Sequence, residues 1–280
     1  CLSLFALYAY LLLTSYYVLR TLREPLLLSN GSAELKSYAY AMVAVALLVL
    51  LPLYSAVLRR VGKRRLNRWL TTFFVTNLGS FYLLGRLGAE IGLIYYVWVG
   101  IFSVTILTQF WAHAADCFNV ESGQRLFPTI MVAATVGALS GPPLASYLFS
   151  ALGPWPLLLV SMGLLTLTMP LASSSGRAVP EASRNLSAYA TERCPCELAN
   201  GFSLLLRNRY LQLLAVMVVL LNCVNTTGEY LLSDLVLQHA ATATAADASL
   251  SRGEYIASFY GRFYFSVNLL TALTQVILVA

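Results

Sequence analysis

The chain has 280 residues, 59% of them hydrophobic and only 11% charged, with a formal net charge of +6. A soluble domain carries about 25% charged residues, so this composition excludes one. Several apolar runs of about 20 residues point instead to an all-α polytopic membrane protein, with the lipid bilayer as its first partner. Most of the positive charge lies in short segments between apolar runs, where it sets topology and is no footprint of nucleic-acid binding.

The first helix is expected over residues 2–28 and ends in YYVLRTLREPLLLS. Arg20, Arg23 and Glu24 fall at i, i+3 and i+4, on one helical face. A charge at bilayer depth costs at least about 2.5 kcal/mol, so that face looks into a substrate pathway or onto a partner. Snorkelling of the arginines into headgroups is the competing explanation. Pro25 is expected to break or kink the last turn.

A second helix is expected over residues 38–58, followed by a loop holding Arg59, Arg60, Lys63, Arg64, Arg65 and Arg68. Helices over 69–87 and 92–115 come next. The latter ends with Gln109, His113 and Asp116 on one face, and His113 reads as a packing histidine. A loop from Asp116 to Arg125 leads to a helix over 127–150. There Ala133, Gly137, Gly141 and Ala145 form a small-residue stripe that admits a close neighbour, and Pro142-Pro143 is expected to bend the helix. A sixth helix is expected over 155–172.

The chain then turns polar. It divides into an N-terminal six-helix bundle (1–172), a linker (173–207) and the first two helices of a second bundle (208–280). The seventh helix, over 210–236, carries Asn222, Asn225 and Glu229 as a polar stripe inside an apolar segment. A polar loop over 238–253 precedes the eighth, which starts near Tyr255 and contains Arg262 and Asn268. The cation-rich loops all fall on one side, which places the N-terminus and the linker in the cytoplasm. Lys36, Arg86 and Arg252 are assigned to the opposite side. The cysteines, Cys194-Pro195-Cys196 included, lack the spacing of a metal site. Neither a cofactor nor an enzymatic nucleophile–base pair is indicated.

Six helices, a linker and a fresh set of helices are the pattern of a two-half transporter. An offset of 205 residues lays RTLREPLLL against NTTGEYLLS and matches Glu24 to Glu229. Intramembrane glutamates are rare, so this match carries more weight than the leucines around it.

Residues 55–65 resemble the loop 2–3 signature of the major facilitator superfamily, with Gly62, Lys63 and Arg64 fitting it and Ser55 and Arg59 departing from it. Gly137-x3-Gly141-Pro142 is similar to that superfamily's helix 5 motif. YYVLRTLREPLLL, FWAHAADCFNVESGQRLF and LLNCVNTTGEYLLSDLV, with FYGRFYF, resemble the ATP/ADP antiporter (Tlc-type nucleotide transporter) branch. The resemblance implies a twelve-helix, major-facilitator-type helical bundle, of which eight transmembrane helices fall in this chain, and alternating access of an anionic substrate, ATP or ADP being the specific expectation. On that basis Arg20, Arg23 and Arg262 attract the anion, since arginine pairs bidentately with phosphate. Asn222 and Asn225 hydrogen-bond it, and Glu24 and Glu229 hold the arginines or carry a coupling proton. Gly62, Lys63, Arg64, Asp116 and Arg125 are the gating-loop residues. Proton-coupled transport of another solute, and a membrane scaffold without transport, are the alternatives.

Overall fold

The structure, a computed structural model, describes residues 2–29, 31–61, 63–117, 120–175, 206–246 and 251–279. Its elements are α1 (Leu2–Leu28), α2 (Ala33–Val61), α3 (Lys63–Arg86), α4 (Gly92–Cys117), α5 (Val120–Leu152), α6 (Pro154–Ser175), α7 (Arg209–Ala246) and α8 (Arg252–Val279), with no strand among the described residues. Five of them (α2, α4, α5, α6 and α7) contain a stretch long and apolar enough to cross a membrane. The described residues thus form an all-helical structure, with the helix lengths and apolar content that fit an integral membrane protein. Large apolar side chains such as Val45, Leu48 and Val49 on α2 and Val218 to Leu221 on α7 stay exposed. Water penalises continuous apolar surface of that kind, whereas lipid does not.

Several boundaries depart from expectation. α2 starts at Ala33, not at residue 38. Ser32 stands at the N-cap position and Glu34 in the first turn, both favourable at a helix N-terminus. The cationic segment is helical on both sides of residue 62, and most of the stretch from Asp116 to Arg125 is helical as well. α7 extends through residues 238–246, where a loop was expected. That stretch is Ala-rich, and alanine has the highest helix propensity. Its threonines return their hydroxyls to carbonyls of the same helix, Thr244 to Ala240 at 2.9 Å among them.

α1 is the hub, packed on α5, α6, α4 and α8. Phe5, Tyr8, Ala9, Leu12, Val18, Leu19 and Leu22 are all buried along it, as a helix apolar on every side requires. The expected small-residue stripe of α5 faces α1. A Cβ on Gly137 would sit 2.6 Å from the Tyr10 carbonyl oxygen, and one on Gly141 2.6 Å from the Tyr17 Cβ. Gly261 of α8 meets α5 in the same way, 2.6 Å from the Ser146 Cβ. α5 runs as one helix past Pro142 and Pro143 to Leu152. Pro142 has no N–H for the Ala138 carbonyl four residues back. The Asn268 amide of α8 donates to that carbonyl at 2.8 Å instead, so a neighbouring helix supplies the missing bond.

α3 and α4 are joined by aromatic packing. Trp98 stacks on Phe102 with ring centroids 5.4 Å apart and meets Phe74 edge-on at 5.7 Å. A second apolar cluster, with Leu28, Ala33, Val236, Leu237, Ala240, Ile256 and Tyr260, ties the α1–α2 turn to α7 and α8. Its Tyr260 and Tyr264 also belong to the polar group described next.

Candidate functional site

The charged residues of α1 lie in its last turns, and the chain reverses immediately after them. Gly31 makes the reversal tight: a Cβ there would stand 2.6 Å from the Leu27 carbonyl oxygen. α2 then packs on α4 and α7 and carries Lys36 into the interior, where it is 1% exposed.

Lys36 is the centre of the site. Its Nζ lies 2.8 Å from Glu229 Oε2, 3.0 Å from Glu24 Oε2 and 2.9 Å from Ser233 Oγ. It also donates to the Tyr260 hydroxyl at 3.3 Å. The contact with Glu24 Oε2 is an ion pair without hydrogen-bond alignment. Glu24, fully buried, accepts through its other oxygen from Arg23 Nε and from the Tyr264 hydroxyl, both at 3.1 Å. Ser233 is 3.1 Å from the Tyr260 hydroxyl and donates to the Glu229 carbonyl at 2.7 Å. α1, α2, α7 and α8 therefore meet on one ammonium group.

Aromatic faces cover the cations. Arg23 lies over Tyr96 of α4 at 4.2 Å from the ring centroid, and Lys36 is 5.1 Å from the centroid of Tyr260. Arg20 lies over Tyr264 at 4.8 Å and donates to the Tyr16 hydroxyl at 3.3 Å. Rings of this kind stabilise a desolvated cation by up to about 2 kcal/mol. They do not neutralise it.

Charge accounting follows directly. Arg23 has Glu24, and Lys36 shares Glu24 and Glu229. Among the described residues no carboxylate lies within ion-pair distance of Arg20. The group holds three cations and two carboxylates, an excess of one positive charge at a place where α1 and α8 meet. An arrangement of that sign attracts an anion. Arg20 is half-buried, and the Glu229 side chain is 14% exposed.

The expected site residues separate into two sets. Arg20, Arg23, Glu24 and Glu229 are brought together. Asn222, Asn225 and Arg262 are not: all three are exposed, and Asn222 donates to the Val218 carbonyl of its own helix at 2.8 Å. Asn222 lines a shallow groove on α7 with Val219, Cys223 and Thr226, two turns from Glu229. Gly62 lies outside the described residues, as do the side chains of Lys63, Arg64, Asp116 and Arg125. His113 stacks on Phe5 at 5.4 Å and lies 3.8 Å from the Cys117 sulfur, in keeping with a packing role.

Lys36, the centre of this group, is not singled out by the sequence. A second helix starting at residue 38 leaves it among the loop cations. Ser32 followed by Glu34 is a helix-start signal that would have moved it inside. Tyr96, Tyr260 and Ser233 had no signal of their own, since a tyrosine or serine in an apolar helix is common. No group of three His, Cys, Asp or Glu side chains able to hold a metal occurs among the described residues.

Comparison with family models, with curated proteins and with solved structures gives no match.

Proposed function

We propose that this chain is part of a major-facilitator-type secondary transporter that moves an organic anion by alternating access, with ATP/ADP exchange as the specific reading. The observation that carries it is the positive excess of the buried group, with Arg20 half-buried and, among the described residues, without a carboxylate partner. Charges this deep are rare outside transport pathways and relays. The resemblance of YYVLRTLREPLLL and FYGRFYF to nucleotide antiporters supports the same reading, because Arg20, Arg23, Glu24 and Tyr264 come from those two stretches. In this mechanism Arg20 receives the anion, Tyr16, Tyr17 and Tyr264 orient the guanidinium, and Arg23 stays with Glu24. The eight helices are taken as the first part of a twelve-helix bundle whose halves rock about this group.

A scaffold without transport fits less well, because neither Arg20 nor Glu229 is sealed. Proton coupling has one observation in its favour: Glu229 is the more accessible of the two carboxylates. Replacing it with glutamine keeps the shape and removes the proton site.

The deciding experiment is uptake of labelled ATP into proteoliposomes of the complete protein, with or without internal ADP. Uptake that requires internal ADP is expected. Arg20→Ala is expected to lower uptake efficiency about 10- to 100-fold, the loss of one charge-assisted contact. Absence of uptake under every loading condition, in protein that elutes as a single folded species, would discard nucleotide exchange.

A further inference from the structure

The two carboxylates on Lys36 are not equivalent. Glu24 is fully buried and also holds Arg23 and the Tyr264 hydroxyl. Glu229 is 14% exposed, and among the described residues Lys36 is its one cationic partner. Glu229 is thus the less enclosed and the less heavily partnered of the two, and it can leave Lys36 without stranding a second cation, whereas release of Glu24 would strand Arg23.

We infer that Lys36 is an anion-binding residue whose resting occupant is the Glu229 carboxylate, and that a phosphate or carboxylate group of an incoming solute takes Glu229's place. The exchange of one anion for another keeps the ammonium paired throughout, which matters because an unpaired charge in a buried site is strongly unfavourable. It also has a mechanical consequence. The contacts of Lys36 with Glu229 and Ser233 are polar links that join α2 to α7. Releasing Glu229 removes the stronger of them, so occupation of Lys36 by a ligand loosens the α2–α7 contact. The ligand class rests on the anion-transport reading above. The exchange at Lys36 does not depend on the solute being a nucleotide.

Equilibrium binding of labelled ADP, succinate and inorganic phosphate to the complete protein tests the exchange without requiring transport. The parent is expected to bind at least one of the three. Glu229→Gln is expected to bind that probe roughly tenfold tighter, because the internal competitor is gone. Lys36→Arg keeps this binding, and Lys36→Gln loses it, in protein checked for a single folded elution peak.

Unchanged or weaker probe affinity in Glu229→Gln would overturn the inference and leave a purely structural ion pair. Failure of all three anions to bind either protein would overturn it as well. Should phosphate or succinate act where ADP does not, the inference stands and the nucleotide reading falls.

Discussion

Lys36→Met retains the length of the side chain and removes its charge. Glu24 and Glu229 would then share a buried site with only Arg23 beside them. Removing one member of a buried ion pair costs roughly 3–5 kcal/mol, because the partner is left uncompensated. Lys36→Met is therefore expected to unfold at markedly lower temperature in detergent, whereas Arg262→Ala, at an exposed position, is expected to stay within about 0.5 kcal/mol of the parent. Equal melting temperatures for the two variants would show that the charge group contributes nothing to stability. Arg20, Arg23, Glu24 and Glu229 were all legible in the sequence, because an ion in an apolar run has few innocent explanations. Lys36 was not, because two residues of helix boundary decide whether a lysine counts as a loop cation or a buried one.

At the scale of the helix, the α1–α5 contact depends on the absence of side chains. Gly141→Val would drive its Cβ into Tyr17, and overpacking of this kind costs about 1–3 kcal/mol. Gly163 of α6 has open space around its Cβ position. Gly163→Ala is therefore expected to be neutral or to gain up to about 1 kcal/mol from helix propensity. Thermal unfolding of both proteins checks the contrast, and similar destabilisation by both would remove the case for close α1–α5 packing. Asn268→Leu deletes the donor to the carbonyl freed by Pro142. A loss of roughly 1–3 kcal/mol is expected in the same assay, the cost of an unsatisfied buried acceptor. The stripe on α5 was visible in the sequence as a four-residue recurrence. Its partner helix was not, since the recurrence says that something approaches closely without saying what.

Across the whole molecule, the charge group links segments far apart in the chain. Glu24 and Glu229, matched by the 205-residue offset, end on the same ammonium. The packing predicts that Cys223, exposed on α7, reacts with a membrane-permeant maleimide, and that buried Cys117 reacts more slowly. Equal labelling of the two would contradict the packing of α4 against α1.

By itself the sequence determined the class of this protein and the identity of its unusual residues. Apolar runs of membrane-spanning length have one stable outcome in lipid, since every backbone N–H and C=O must be satisfied within the helix. Charges inside such runs stand out for the same reason. Only the tertiary structure decided which of those charges meet. A helix repeats about every 3.6 residues and so records the face on which a residue lies, whereas the partner of that face is set by packing between helices distant in the chain. That is why Asn222, Asn225 and Arg262, as polar in the sequence as Arg20 or Glu229, turn outward, and why an unremarked lysine in the first turns of α2 joins four helices.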